Sequence, residues 1–495
     1  MKPETQVDAQ PGEGGRLRRE LNVWEAIGIS VALMAPSMAA NINPQGTAGS
    51  VGRAVPLAFA LATVGVLLIA YTFVRLCQRF NHSGSVYAFV GATLGPRWGV
   101  ISGWALLGTY TFYGVVTSAA AGIFGVAFLD EVGVWNKPPE WAPFIVTALA
   151  LAGVFLLAIA RIRGGTRLLL TVEGATVALI LIVSIVVLAK LIGGSAPGGH
   201  TFTLDVFKVP SGTPVSALFL GVVFGFLSFA GFEAAATLGE EARRPRKDIP
   251  RAILGTAIFG GIYFVFVTAV EVMGFGSNAA GVKAFTGSAS LLGDLGTTYI
   301  ASWVGELITL GTAVSAFGCA LASTVAASRL LFALGRDGIA PVSVSTVSAR
   351  RGTPVAATVV VVAAMSVIVL VDRLVFGAKP FDVFAWSGVI GTLILLVAYA
   401  LATVGVIQLL FFTGRRSVAT WEIVVPILAL LLIAYTLYRN VIPYPKAGAP
   451  RWIPVVCLLW LLVAVVLVLV RPAAARNAGA RLAQDEGLVR AEEVR

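Results

Sequence analysis

The chain has 495 residues, of which 57% are hydrophobic and only 12% charged, with a mean hydropathy of +0.88. That composition excludes a string of soluble domains and marks an all-α polytopic membrane protein. The formal net charge of +11 needs no nucleic-acid or acidic partner, because the basic residues sort by topology. If the N-terminus is cytoplasmic, 26 of the 36 lie on the inner side and 10 on the outer, so the positive-inside rule places both termini in the cytoplasm of a cell-membrane protein.

Crossing roughly 30 Å of hydrocarbon takes about 20 apolar residues. Twelve such segments are expected, over residues 23–48, 54–75, 97–128, 142–161, 167–192, 214–239, 250–275, 299–334, 353–374, 381–411, 419–438 and 451–471. Residues 1–21 are polar with no apolar core, which reads as a short cytoplasmic tail and not a signal peptide. The segment 472–495, with Ala, Arg and acidic residues mixed, reads as a second tail.

Span 1 contains Pro36 near its middle, flanked by Ala35, Ser37, Ala39 and Ala40. Proline lacks a backbone donor and disfavours helix at the residue before it. A simple kink and a functional break are both compatible with this span alone. Between spans 2 and 3, Ser83-Gly84 and Gly95-Pro96 bracket a short amphipathic piece expected to lie along the membrane surface, and His82 there reads as a solvated loop residue. In span 3, Tyr110 and Tyr113 share a helical face and could wall a pocket. Asp130, Glu131 and Glu140 beyond it read as solvated loop carboxylates.

Span 5 carries Glu173, about a turn and a half from Arg167. It could snorkel to pair with an arginine or stay buried facing span 1. Span 6 is the most informative stretch. Its apolar run SALFLGVVFGFLSF meets Ala230-Gly231 and then Glu233 at bilayer depth, where a carboxylate is costly without a partner or a task. A break there leaves backbone groups that lipid cannot satisfy, so they should line a cavity. Glu240, Glu241 and the following arginines read as a charged helix cap, with Pro245 stopping the helix and Pro250 in the first turn of span 7. Residues 276–298 are too short for a domain and suggest a small surface helix. Ser323, Thr324 and Ser328 in span 8 suit tight packing or ion ligation toward span 1, and Trp386 with Ser387 in span 10 suits a lid or wall. Cysteines 77, 319 and 457 are scattered, and with His82 and His200 the only histidines no metal site, cofactor or intramembrane enzyme chemistry is expected.

Three stretches, in order, resemble the amino acid–polyamine–organocation permeases: SGSVYAFVGATLGPRWGVISGW at 83–104, SFAGFEAAATLGEEARRPRKDIPRAI at 228–253 and SRLLFALGRDGIAP at 328–341. The resemblance implies a five-plus-five inverted repeat with spans 1 and 6 discontinuous, residues 22–195 and 205–412 forming the two halves and 413–471 two further helices. It implies a substrate carboxylate held by the span-1 break at Ala35, Pro36, Ser37 and Met38. It implies an amine held by the span-6 break at Phe229, Ala230 and Gly231, with Phe226 or Phe229 as an aromatic gate; Tyr110 and Trp386, read from their own positions, are added as candidate pocket residues with packing as their alternative. Free helix N-termini are positive and C-termini negative, so a zwitterion is matched without charged side chains.

Two departures matter. Span 1 has Ala-Pro-Ser-Met in place of a glycine-rich break, and span 5 has Glu173 with no lysine before Lys190. The proton-coupling candidates are therefore Glu173 and Glu233. The expectation is an importer of amino acids working by alternating access with proton symport. An exchanger of amino acids or polyamines and a sodium-coupled carrier are the alternatives, and a non-transporting sensor stands behind them. Its partners would be a small amino acid or amine, protons and the lipid bilayer.

Overall fold

The computed structural model describes residues 22–80, 86–160, 165–238, 242–348, 352–413, 418–445 and 447–477. Their regular elements are helical, sixteen α-helices in all. These are α1 (Val23–Leu33), α2 (Pro36–Val51), α3 (Val55–Arg79), α4 (Val86–Leu94), α5 (Pro96–Glu131), α6 (Ala142–Ile159), α7 (Gly165–Ile192) and α8 (Leu218–Ser228). Then come α9 (Pro245–Phe275), α10 (Ala279–Gly287), α11 (Leu291–Tyr299), α12 (Ser302–Arg336), α13 (Val355–Leu374), α14 (Pro380–Ile407), α15 (Val424–Val441) and α16 (Trp452–Val470). Among the described residues ten segments are long and apolar enough to cross a membrane, α2 and α3 counting as one. The apolar helices α1 and α8, 11 residues each, are too short to cross alone.

Local chemistry accounts for the helix ends. Asn22 caps α1, its Oδ1 accepting from the Trp24 and Glu25 N–H groups while Glu25 accepts from the Asn22 N–H. Proline occupies the first turn of α2, α5 and α9, where its missing N–H costs nothing. The α5 start follows Gly95 at φ 98°, a value few other residues tolerate.

The helices assemble as two packed groups. One joins α1, α2, α3, α8 and α9; the other joins α5, α6, α12 and α13, with α7 lying between α9 and α12 and α14 between α5 and α8. Helices five spans apart in the chain pack on each other: α2 on α8, α3 on α9, α5 on α12 and α6 on α13. Small residues set the close approaches, with Gly225 against Ala62, Gly261 against Thr63 and Gly114 against Met365. The last two helices both pack on α14 but otherwise differ in what they hold: α15 packs on α3 and α8, α16 on α5. Trp104 and Trp460 fasten the latter contact, their rings stacked at 5.4 Å and each indole N–H donating to the other residue's carbonyl at 3.1 and 2.9 Å.

Three expectations change. The described part of the 83–96 piece, residues 86–96, does not lie along a surface. Its helix, α4, buries Val86 to Val90 against α5 and α14, and Tyr87 donates to Asp337, because its Tyr87 and Phe89 give it an apolar face large enough to enter the core. The 276–298 connection holds two helices, and α11 is docked, not superficial, with Leu291, Leu292, Leu295 and Tyr299 buried. Glu131 is not merely solvated, since it accepts from Thr309 at 3.0 Å; Asp130 accepts from the Lys137 N–H and Glu140 pairs with Lys379 at 3.6 Å. His82, Glu240 and Glu241 lie outside the described residues.

Candidate functional site

The first span is interrupted at Met34 and Ala35. Three hydrogen bonds close the end of α1, Met34 N–H donating to Ser30 and Val31 and Ala35 N–H to Ala32, and Ala35 then turns left-handed at φ 46°, ψ 57° before Pro36 opens α2. That is an uncommon conformation for a residue with a Cβ, and such strain concentrates where surrounding structure enforces it. The sixth span is interrupted from Phe229 to Glu233, with Gly231 at φ 100°. The two interruptions meet: a Cβ on Gly231 would stand 3.3 Å from the carbonyl carbon and oxygen of Leu33, the last residue of α1. Further along, Asn43 donates to Ser228 Oγ at 2.6 Å and Thr47 to the Gly221 carbonyl at 3.1 Å, so α2 and α8 are tied side by side.

The free start of α2 is occupied. Glu173 of α7, only 5% exposed, accepts from the Ser37 N–H on Oε1 at 3.0 Å and from Ser37 Oγ on Oε2 at 2.8 Å. Of the two sequence alternatives, the structure takes the one facing span 1. A carboxylate at a helix N-terminus is favoured by the dipole and by the orphan donors together. Next to it, Tyr263 of α9 reaches the Pro36 carbonyl at 3.4 Å, and Ser315 of α12 flanks the carboxylate.

The other residues singled out from sequence distribute as follows. Ala35, Pro36, Ser37, Met38 and Phe229 are buried at the breaks, and Ala230 and Gly231 are half-buried beside them. Phe229 lies edge-on to Phe264 at 5.3 Å and covers Gly260 next to Met34. Phe226 points the other way, over Gly65 of α3. Glu233 shares a polar surround with Tyr399, Tyr110 and Tyr113, and Tyr113 is fixed by Thr392 at 3.1 Å. Trp386 stands edge-on to Phe376 near the start of α14 and is not brought to the breaks. Of the three span-8 hydroxyls singled out, Ser328 bonds its own helix at Thr324, Thr324 approaches Met365 of α13, and Ser323 pairs with Cys319, whose Sγ reaches the Leu33 carbonyl at 3.8 Å.

Sequence reasoning missed the polar string in α2. Asn41 donates to Thr312 of α12 at 2.8 Å while its Oδ1 accepts from the Leu292 N–H at 2.7 Å and from Ser290 Oγ at 3.3 Å. Gln45 donates to the Ser288 carbonyl at 2.6 Å. These bonds hold α11 down over α2, closing the bundle on that face. The signal was in plain view, since two asparagines and a glutamine in NINPQ at membrane depth demand partners. An apolar crevice of about 560 Å³ between α3 and α9, lined by Leu67, Leu188, Phe202 and Phe266, opens on the lipid-facing flank and not at the breaks.

Residues 26–484 match the family model described as amino acid permease. An uncharacterised transporter of Mycobacterium tuberculosis is 28% identical over 401 residues, covering 81% of this chain and 82% of that protein. The branched-chain amino acid permease BcaP of Bacillus subtilis is 26% identical, covering 71% and 74%. The low-affinity putrescine importer PlaP of Escherichia coli is 27% identical, covering 58% and 61%. With the family match spanning nearly the whole chain and two interrupted helices meeting in its core, this protein belongs to the amino acid permease family, whose members are membrane transporters and not enzymes.

Proposed function

We propose that the chain is a secondary active importer of amino acids, working by alternating access with protons as the coupled cation, and that Glu173 couples the two, its carboxylate competing with the substrate carboxylate for the Ser37 donors until a proton neutralises it. The observation that carries this reading is the seat of Glu173 on both Ser37 donors. The start of α2 is the natural place for a substrate carboxylate, and a side-chain carboxylate already fills it. Protonation would remove the charge that holds Glu173 there and free the Ser37 N–H, so substrate binds as a proton is taken up. The substrate amine would then face the Leu33 carbonyl and the Phe229–Gly231 turn, the negative ends of α1 and α8. The pairing of helices five spans apart supports an inverted repeat, with α15 and α16 added to it, and the charge distribution supports cytoplasmic termini.

A second reading has its own observation. The described residues at the two breaks include the carboxylates of Glu173 and Glu233 and no lysine or arginine. An amine without a carboxylate would leave Glu173 in place and pair with it, and one relative imports putrescine. Uptake of pooled radiolabelled amino acids and of putrescine into proteoliposomes, under imposed proton or sodium gradients, separates these cases. Proton-driven amino acid accumulation that Glu173→Gln abolishes, while exchange across the membrane persists, is the expected outcome. Accumulation unaffected by that substitution refutes the role of Glu173, and putrescine uptake alone selects the second reading.

A further inference from the structure

Glu271 of α9 is completely buried, and neither of its carboxylate oxygens meets a hydrogen-bond partner among the described residues. Ser184 of α7 is in the same condition, its Oγ buried and unpartnered. Two contacts fix the register of these helices. Glu173 and Tyr263 both reach the span-1 break, at Ser37 and Pro36. Fourteen residues later on α7 and eleven later on α9, Val187 and Gly274 touch, with Val187 Cγ1 3.2 Å from a Cβ built on Gly274. The helices are therefore parallel neighbours, and one turn back from that contact lie Ser184 on α7 and Glu271 on α9. Three unsatisfied oxygens thus occupy one level of a helix pair, roughly 12 Å beyond Tyr263 along α9 and roughly 16 Å beyond Glu173 along α7, toward the α11 face.

No fixed cation serves this level. Lys190 of α7 is committed to the Tyr299 carbonyl, and Tyr299 donates to Gly274. Asp294 of α11 accepts from Ser288, Lys283 lies on α10, Lys208 pairs with Asp205 at 2.9 Å, and Arg53 lies by Asp205 in the link between α2 and α3. Tyr263 is the titratable neighbour two turns back on α9, and Glu173 sits three turns away on α7. Helix α2 has no charged side chain, and the charges of α1 and α3, Glu25, Arg75 and Arg79, lie toward the opposite end of the bundle. A carboxylate in such surroundings is prohibitively costly unless a mobile cation neutralises it.

We propose that Glu271 and Ser184 form a binding site for a monovalent cation, a proton or a sodium ion held on the Glu271 carboxylate with Ser184 Oγ beside it. The site stands between the α11 face and Glu173, so it would load the coupling ion from that side. This use rests on the permease reading, but binding does not depend on which substrate is carried.

The test uses purified full-length protein in lipid nanodiscs without substrate. Binding of radioactive sodium is measured by scintillation proximity, and the infrared carboxyl band of buried protonated groups is followed against pH. A sodium site predicts saturable binding that Glu271→Gln abolishes and Ser184→Ala weakens about 3- to 10-fold, as loss of one oxygen ligand should. A proton site predicts no sodium binding and a carboxyl component that Glu271→Gln removes, with the Glu173 component retained as proof that the variant is folded. Sodium binding that survives Glu271→Gln, or the absence of both signals in the parent protein, overturns the proposal.

Discussion

Replacing Asn41 by alanine removes three hydrogen bonds at once and leaves the Leu292 N–H buried without an acceptor. A typical bond contributes about 1 kcal/mol net, and an orphaned buried donor costs about 1–3 kcal/mol. Thr312 and Ser290 keep partners in Ile308 and Thr309, so the loss concentrates on Leu292 and totals about 3 kcal/mol. If those bonds are what hold α11 on α2, its local opening becomes about 100-fold more frequent. Hydrogen–deuterium exchange read on peptides covering residues 289–299 measures this directly. Gln45→Ala, which deletes one bond to the Ser288 carbonyl, serves as a graded control and should accelerate exchange only about five-fold. An Asn41→Ala protein whose α11 amides exchange within about three-fold of the parent would refute the reasoning, because the free energy assigned to the latch would then reside elsewhere.

Gly231→Ala forces a Cβ into a left-handed backbone and against the Leu33 carbonyl. It should cost about 1–3 kcal/mol, visible as a lower Tm and reduced uptake, and an alanine variant matching the parent in both would show that the junction of the two breaks can relax. Burial holds the Asp294 carboxyl of α11 above its ordinary value of 3.8, against the opposing hydrogen bond from Ser288. Since the protonated form is favoured in the docked state, docking is strongest in acid and weakens as pH rises above that ordinary value. Exchange at α11, corrected for the intrinsic pH effect, should therefore quicken as pH rises, and Asp294→Asn should flatten the dependence; a profile equally steep in the variant would locate the titrating group elsewhere.

What could be read from sequence divides along physical lines. The two interruptions were legible because Pro36 and the Ala230-Gly231-Phe232-Glu233 run break local rules, and local rules are visible in a string of residues. The left-handed Ala35 was not, since nothing about alanine announces that conformation. Glu173 was recognised as out of place, yet its partner stayed open between Arg167 and span 1, because periodicity assigns a face and not the helix that face meets across 136 residues of chain. For α4, amphipathic pattern suggested a surface where the structure uses a buried wedge, a distinction that depends on what α5 and α14 leave unfilled. Asn41 and Gln45 were overlooked for a different reason. Polar residues near a helix end pass for the approach to water, and only the docked α11 reveals that the water has been replaced by protein.

The final helical hairpin has a mechanical consequence. Its first arm, α15, grips α3 and α8 in the group that contains both breaks, and α3 is further fastened there by Arg75 and Tyr71 on Glu422, just ahead of α15. Its second arm, α16, is bolted to α5 in the other group by the reciprocal tryptophan pair. Both arms also rest on α14, so if one group rocked against the other, the connection between Val441 and Trp452 and the α14 contacts would have to absorb the difference. The hairpin thus lies as a strap across the joint between the two groups, and under the alternating-access reading proposed above the length of that connection would limit how far they could part.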